Sequence, residues 1–264
     1  MGLGQGHGWE GAVLRLLGGR DFVCTVTGAE DVGPRYRRVH LTDGGMLTTA
    51  GVHPTMWIRL WFERAGRPHQ RAYTLVAPDP VAGTFSLEFA LHDGPASDWA
   101  RSAAPGDTIG ATVHGTSFVP PRPVASRVVA IGDPASLPAI NSLLTAVGTA
   151  PATIWLETDS PVPITSITPI TSAGAPAART DRDGIALRAT PSRHELRTVP
   201  RRDGGAHLVD EVRSALPALL RDEPEPYVWI ACDTATTRTL SSYVRKELAL
   251  PKHRVHALGY WRAA

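Results

Sequence analysis

The chain has 264 residues, of which 42% are hydrophobic and 20% are charged, and its formal net charge is +2. This composition can bury a sizeable core and excludes general disorder, and so small a net charge does not favour nucleic acid or an anionic membrane surface as a partner. No stretch is apolar over the roughly 18 residues that a membrane-spanning helix needs. A cytoplasmic setting fits these observations, and 264 residues are comfortable for two domains. We expect a monomer.

Residues 1–20 are rich in glycine and lack an apolar stretch followed by a cleavage site, so we expect a flexible tail and no signal peptide. The two cysteines, Cys24 and Cys232, lie far apart in sequence, and two cysteines make no disulfide framework or metal cluster. We expect both to be buried free thiols. His253 and His256 have no evident third ligand, so no metal site is predicted.

The first half of the chain has the pattern of short antiparallel strands. β-Branched runs and alternating polarity predict strands at 22–27, 35–41, 56–62, 71–76, 84–91 and 107–113. A short helix is expected after Gly94-Pro95, because proline suits the first helical turn. Together these elements predict an antiparallel β-barrel over residues 21–122.

The run Val119-Pro120-Pro121-Arg122-Pro123 marks the predicted domain boundary, because prolines fit neither a central strand nor a helix interior. In residues 123–264, continuous apolar strands alternate with helices, which favours an α/β domain with a mainly parallel sheet. Strands are expected at 127–131, 153–157, 227–231 and 254–258, with helices at 138–147, 206–216 and 235–248. The segment at about 158–200 is rich in Ser, Thr and Pro and is predicted to be a long surface loop with one strand at 184–189.

A first candidate site is the strand segment Arg71-Ala72-Tyr73-Thr74. Arg71 offers a fork of N–H donors suited to phosphate, and Tyr73 offers a flat ring that can pack against another planar group. Because alternate side chains of a strand share a face, Arg71 and Tyr73 point one way and Ala72 and Thr74 the other. Taken alone, the segment also fits an ordinary surface strand.

A second candidate site is the predicted helix start that follows the strand at 84–91. Its residues include His92, Gly94, Pro95 and Ala96. The N-terminus of a helix presents free N–H groups and the positive end of its dipole, which suits a pyrophosphate. Thr116 and Ser117, after the last barrel strand, are small hydroxyl residues that can line the same ligand.

Four segments in this order resemble the siderophore-interacting protein family, a branch of the ferredoxin–NADP reductase-like flavoproteins. They are Arg-x-Tyr-Thr at 71–74, FALHDGPASDWA at 89–100, APGD at 104–107 and GTSF at 115–118. In the second half, VVAIGDPASLPAI is similar to the family's strand-turn-helix segment, and the closing GYWR at 259–262 is similar to its end. The resemblance extends from about Asp21 to Arg262 except for the predicted loop.

The resemblance implies an FAD-binding barrel followed by a nicotinamide-binding α/β domain. Arg71 would contact the FAD phosphates, Tyr73 the isoalloxazine and Thr74 the region of flavin N5, with Ala72 beside them. The residues lining the rest of FAD would be His92, Gly94, Pro95, Ala96, Thr116 and Ser117. Asp133 and its neighbours would face NADPH or NADH at the end of the first parallel strand.

The function that the resemblance implies is reduction of a ferric siderophore. NAD(P)H or ferredoxin would supply electrons, FAD would pass them singly to Fe(III), and iron would leave as Fe(II). The nicotinamide segment departs from the family pattern at Pro134-Ala135 and at Cys232-Asp233. Two alternatives therefore stay open: a flavoprotein recruited to another redox or biosynthetic role, and a non-catalytic binding protein with this fold.

Overall fold

The computed structural model describes residues 18–33, 35–64, 66–159, 164–165, 187–190 and 192–262. Most of the predicted N-terminal tail, residues 1–17, lies outside this part of the chain. Contacts divide the chain into two compact units, Met1–Phe118 and Val119–Ala264, here called the N-terminal and C-terminal units. Each has its own hydrophobic core.

The N-terminal unit is a curled antiparallel sheet of seven strands. In chain order the strands are β1 (Arg20–Gly33), β2 (Tyr36–Thr42), β3 (Trp57–Arg64), β4 (Arg67–Thr74), β5 (Val76–Asp79), β6 (Thr84–Ala90) and β7 (Thr108–Val113). Their order in the sheet is β4-β3-β7-β1-β2-β6-β5. The edge strands β4 and β5 are consecutive in the chain and are separated only by Leu75. This arrangement confirms the predicted antiparallel barrel-like fold.

Among the described residues, two helices accompany this sheet. Helix α1 (Met46–Ala50) was not predicted; Asp43 holds its start by accepting hydrogen bonds from the backbone of Gly45 and Leu47. Helix α2 (Pro95–Ser102) begins at the predicted proline. The sheet has one strand more than the sequence predicts, because the chain turns at Leu75 and continues as β5.

The C-terminal unit has a parallel sheet of five strands, with order β12-β9-β8-β13-β14. The strands are β8 (Arg127–Gly132), β9 (Ala152–Glu157), β12 (His194–Val199), β13 (Pro226–Ala231) and β14 (Val255–Ala257). The helices are α3 (Leu137–Ala146), α4 (Ala206–Leu220) and α5 (Thr234–Ser242). A separate pair of two-residue strands is formed by β10 (Ile164–Thr165) and β11 (Leu187–Arg188). The predicted α/β domain with a parallel sheet is confirmed.

The strand order fixes where ligands are expected in this unit. The chain goes from the central strand β8 through α3 to β9 and β12 on one side, and then through α4 to β13 and β14 on the other. The order of the sheet therefore reverses direction at β8 and β13. In open α/β sheets, ligands bind outside the carboxyl ends of the strands at such a switch point.

Three predictions about this unit need correction. The predicted loop at 158–200 contains β12, which pairs in parallel with β9 along its whole length. Its alternating charged residues, Glu195 and Arg197, gave it the appearance of a polar connection. Of the strand expected at 184–189, only Leu187–Arg188 is a strand, and residues 184–186 lie outside the described part of the chain.

The predicted end of α4 at residue 216 is also wrong, because the helix continues through Pro217 to Leu220. Pro217 has no N–H to donate to the carbonyl of Arg213, one turn earlier. The Tyr243 hydroxyl donates to that carbonyl instead, over 3.2 Å. The freed acceptor thus keeps a partner, and the helix can tolerate the proline.

Both cysteines are buried and free, as predicted. Within the described residues, every helix is too short or too polar to cross a membrane.

Candidate functional site

The segment Arg71–Thr74 lies at the end of edge strand β4 and pairs with β3, so that Thr74 is opposite Trp57 and Arg71 is opposite Leu60. Arg71 and Ala72 are exposed. One terminal nitrogen of Arg71 donates to the carbonyl of Gln70 at 2.7 Å, and Arg71 forms no salt bridge within the described residues. Its guanidinium therefore keeps donors for an anionic ligand.

Tyr73 is half-buried within a cluster of four aromatic side chains, here called the aromatic cluster: Phe62, Tyr73, Phe89 and Trp99. Its ring centroid lies 4.3 Å from that of Phe89 and 6.2 Å from that of Phe62. Burial raises the pKa of Tyr73, and the charge of nearby Arg71 opposes that shift, so the phenol stays neutral. The exposed part of this ring is the surface that a planar ligand can contact.

Thr74 is only 5% exposed and already has an interaction partner within the protein. The next residue, Leu75, donates its backbone N–H to the carbonyl of Met56. These contacts fix the end of β4 against the start of β3. The sequence-based role of Thr74 near flavin N5 remains a prediction.

The second predicted segment forms the start of helix α2. Gly94 has φ 149° and ψ 165°, a conformation that is essentially restricted to glycine, and no side chain of the described residues caps the helix. Before it, the backbone N–H of His92 donates to Ser97 Oγ at 3.1 Å, which holds the turn onto the helix. Pro95 occupies the first turn and Ala96 is buried. The uncapped N–H groups and the helix dipole suit a pyrophosphate.

The aromatic cluster brings these two predicted segments together. Trp99 belongs to helix α2, and its ring lies 5.8 Å from Phe62 and 5.7 Å from Phe89, the same two rings that contact Tyr73. The strand with Arg71 and Tyr73 and the uncapped helix are therefore packed on one aromatic centre. Their chemistry, a guanidinium, an uncapped helix start and a partly exposed ring, fits the phosphates and the planar ring of FAD. Phe62, Phe89 and Trp99 were not predicted to support this site, although all three lie in predicted elements.

The third predicted segment follows β7 and contacts the start of β3. Thr116 Oγ1 accepts the backbone N–H of Trp57 at 3.2 Å and lies 3.2 Å from Nε2 of His53. Trp57 is the residue paired with Thr74, so Thr116 is near the end of β4. Ser117 is exposed and follows directly. The contact of either hydroxyl with a cofactor remains a prediction.

In the C-terminal unit, Asp133 is 3% exposed and its carboxylate is engaged by the protein itself. Oδ1 accepts from the backbone of Ala135 and Ser136, and Oδ2 accepts from the indole Nε1 of Trp261 at 2.7 Å. Burial raises its pKa from 3.8 to about 6, although these hydrogen bonds act in the opposite direction. Gly132 is required just before it, since a Cβ there would lie 2.2 Å from Ser136 Oγ.

Asp133 belongs to a group at the carboxyl edge of the parallel sheet, here called the carboxyl-edge cluster. Its members are Asp133, Glu157, Arg201, Asp233 and Trp261. Arg201 donates to Glu157 Oε2 and, at 3.3 Å, to Asp233 Oδ2, and its guanidinium lies over the ring of Trp261. Within the described residues, no group of three or more His, Cys, Asp or Glu side chains could hold a metal ion.

Asp233 caps helix α5 as Asp133 caps the turn before α3. Its Oδ1 accepts from the backbone of Ala235 and Thr236. A pyrophosphate at either helix start would have to displace these caps, so the cluster fits the ribose part of a dinucleotide better than its pyrophosphate. The assignment of Asp133 to a nicotinamide cofactor stays a prediction. Glu157 and Arg201 were not predicted as site residues, and their only signal in the sequence is that each lies at the end of a strand or just beyond it.

Two family models match this chain. A siderophore-interacting FAD-binding domain matches residues 46–115, and a siderophore-interacting protein model matches residues 177–264. The chain belongs to the siderophore-interacting protein family. The first match contains most of the predicted FAD-contacting residues, from Arg71 to Ala96, and the second contains Arg201, Asp233 and Trp261.

Relatives of this siderophore-interacting family member include larger proteins. The chain is 31% identical over 265 residues to the mycobactin import ATP-binding/permease protein IrtA of Mycobacterium tuberculosis, which covers 97% of this chain. The chain spans only 28% of that relative, and a similar share of two others of the same name. It is 24% identical over 220 residues to ferric acinetobactin reductase of Acinetobacter baumannii, covering 79% of this chain and 67% of the relative.

Solved structures agree on the fold. The siderophore-interacting protein SipS from Aeromonas hydrophila superimposes with a TM-score of 0.68 at 25% identity, covering 93% of this chain and 92% of that one. Ferredoxin-NADP+ reductase from Plasmodium falciparum superimposes with a TM-score of 0.61 at 12% identity, covering 91% of this chain and 97% of that one. The siderophore-interacting chain thus has the two-domain fold of the ferredoxin–NADP reductase superfamily.

Proposed function

We propose that this protein is an FAD-dependent reductase of ferric siderophores in the cytoplasm. The observation that carries the proposal is the aromatic cluster, which packs the strand bearing Arg71 and Tyr73 and the uncapped start of α2 on one centre. These residues match the donor and stacking needs of FAD. The family membership and the relative that reduces ferric acinetobactin support the iron complex as substrate.

In this proposal the protein binds and orients FAD, and forms no covalent intermediate. FAD, when bound, accepts a hydride and gives up electrons one at a time. Arg71 and the α2 start hold the phosphates, and Tyr73 holds the ring, with Phe89 and Phe62 fixing the tilt of the phenol. Each electron converts Fe(III) in the siderophore to Fe(II), which the hard oxygen ligands bind less well.

The electron source in this proposal is a nicotinamide dinucleotide, with ferredoxin as the alternative. The sheet order β12-β9-β8-β13-β14 supports a dinucleotide, because its switch point lies between β8 and β13. The capped helix starts at that point support a binding mode in which the ribose hydroxyls contribute more than the pyrophosphate.

The proposal is tested by the visible spectrum of the purified protein and by anaerobic reduction. We expect a flavin spectrum, before or after addition of FAD, that bleaches with NADH or NADPH. A ferric siderophore added to the reduced protein should restore the spectrum and yield Fe(II), trapped by a chromogenic chelator. The bleached protein without siderophore is the control.

Two results would contradict the proposal. Failure to take up FAD would leave the binding-protein alternative. A reduced flavin that several ferric siderophores do not reoxidise would leave a flavoprotein with another acceptor. Bleaching by reduced ferredoxin and not by NADH or NADPH would change only the electron source.

A further inference from the structure

Glu157 has a distinctive place in the C-terminal unit. It is the last residue of β9, the strand that follows β8 and α3 in the first β-α-β unit of the parallel sheet. Counted along the chain, the sheet order is third, second, first, fourth, fifth strand. In dinucleotide-binding sheets of this order, a carboxylate about 20 residues after the first turn accepts hydrogen bonds from the adenosine ribose.

One oxygen of Glu157 has no partner. The residue is 2% exposed, and Arg201 donates to Oε2, while Oε1 is buried without a hydrogen bond. A buried carboxylate oxygen without a hydrogen bond costs free energy. Such an oxygen in a folded protein indicates that a hydrogen-bond donor, such as a bound ligand, belongs at this position. A ligand hydroxyl is a donor of the required kind.

The neighbouring groups set the charge that a ligand meets. Two further carboxylates, Asp133 and Asp233, belong to the carboxyl-edge cluster, whose one cation is Arg201. Asp159 follows Glu157 closely and accepts the backbone N–H of Arg201. The N–H groups of both helix starts are occupied by Asp133 and Asp233. The edge therefore offers acceptors to a ligand, and its charge disfavours an additional phosphate.

Arg201 could in principle attract a ribose phosphate, but its position argues against that role here. Its guanidinium is shared between Glu157 and Asp233, whose side chains are each 1% exposed. The positive charge of Arg201 is thus already shared by two carboxylates. A phosphate bound to Arg201 would have to compete with both.

We propose that Glu157 determines the choice of dinucleotide: its carboxylate accepts the adenosine ribose hydroxyls and rejects a 2′-phosphate, so that the protein prefers NADH to NADPH. This inference rests on the proposed function in one respect, the nicotinamide electron source. It requires no electron transfer for its test, because the discriminating group lies on the adenosine half of the cofactor.

The test is isothermal titration calorimetry of the full chain with ADP-ribose and with 2′-phospho-ADP-ribose at neutral pH. We expect the wild-type protein to bind ADP-ribose at least about tenfold more tightly, since like charges side by side are strongly unfavourable. In Glu157→Gln the preference should fall by about the same factor, because the amide keeps the shape and removes the charge.

Glu195→Gln is the matched control. Glu195 lies near the start of β12, opposite Thr153, and its carboxylate is half-exposed and paired with Arg197. The substitution makes the same chemical change in the same sheet, at the end away from the carboxyl edge. We expect it to keep the wild-type preference. Unchanged far-UV circular dichroism would show that each variant is folded.

Three outcomes would overturn the inference: equal or tighter binding of the 2′-phosphorylated ligand, no binding of either ligand, or an unchanged preference in Glu157→Gln. None of these bears on FAD uptake or on reoxidation of chemically reduced flavin by a ferric siderophore. Those two measurements decide the proposed function separately.

Discussion

At the residue scale, Arg71 is the side chain whose contribution to FAD binding is most directly testable. Its exposed guanidinium lies on the same face of β4 as Tyr73, with no salt bridge in the described part of the chain. We expect Arg71→Ala to weaken FAD binding by about 2 kcal/mol, roughly 30-fold, through loss of a charge-assisted hydrogen bond. Quenching of FAD fluorescence on titration with the apoprotein measures this change.

The same strand provides a control for Arg71. Arg67 is also exposed, and lies four residues earlier on the same face of β4. Arg67→Ala removes the same charge about 13 Å away along the strand. Equal losses of FAD affinity in the two variants would mean that only the general positive charge matters, and an unchanged affinity in Arg71→Ala would remove Arg71 from the site.

The raised pKa of Asp133 predicts that its contribution to the free energy of unfolding falls as the pH rises. Burial raises its pKa from 3.8 to about 6, so the folded state holds the proton more tightly than the unfolded state. The stability that this proton contributes is present below about pH 4 and is lost as the pH rises through 6. We expect the unfolding free energy of wild type minus that of Asp133→Asn to fall by on the order of 2 kcal/mol from pH 4 to pH 7.

Urea unfolding of both proteins across this pH range measures the difference. Asparagine keeps an oxygen for the cap, so the variant should remain folded. A difference that does not vary with pH would mean that Asp133 titrates normally. The sequence placed Asp133 correctly after the first parallel strand, but it could not show which side chains surround its carboxylate, because the indole that donates to it belongs to Trp261, 128 residues later.

At the element scale, the start of helix α2 depends on Gly94. A side chain at φ 149° and ψ 165° is strained, at a cost of about 1–3 kcal/mol. We expect Gly94→Ala to lose stability by that amount and also to weaken FAD binding, because relief of the strain moves the uncapped N–H groups of the helix. Thermal unfolding and FAD titration together test both effects.

A variant of Gly106 is the control that separates the effect of backbone strain from the effect on cofactor binding. It also has a positive φ, 96°, in the turn before β7, and a Cβ there would meet no atom within 4 Å. Gly106→Ala should therefore cost stability and leave FAD affinity unchanged. If both variants lose FAD affinity alike, the helix start has no special role.

Elements with a strong local signal were predictable from the sequence, and elements decided by distant partners were not. The alternation in Thr84–Ala90 and the proline at the start of α2 located those elements closely. Strand β12 was missed because its polar residues resemble a loop and its pairing with β9 is remote in sequence. The continuation of α4 past Pro217 depends on the Tyr243 hydroxyl, which sequence patterns do not reveal.

At the scale of the whole molecule, the order of the motifs in both halves was sufficient to predict the fold, whereas no single motif was. The Arg71–Thr74 segment alone fits any surface strand. Its packing with α2 through Phe62 and Phe89 depends on the curl of a seven-stranded sheet, which strand predictions do not contain. Glu157 and Arg201 likewise became neighbours only through the parallel pairing of β9 and β12.

FAD should stabilise the folded protein by an amount that grows with its free concentration relative to the Kd. At a free concentration 100 times the Kd, we expect about 2.7 kcal/mol of added stability, because a ligand that binds only the folded state shifts the unfolding equilibrium. The unfolding temperature, followed by circular dichroism, should rise with the logarithm of FAD concentration. In Arg71→Ala the same rise should need roughly 30-fold more FAD. A temperature independent of FAD would contradict the proposed site.

The strand order of the parallel sheet also has a consequence for how the chain is made. Of the five strands of this sheet, the central strand β8 leaves the ribosome first, yet one of its two neighbours, β13, is synthesised only after residue 225. Until then, one side of β8 has an unpaired apolar edge, which is the kind of surface that invites aggregation. During synthesis the nascent chain should therefore bind chaperones most strongly between the completion of β9 and the emergence of β13.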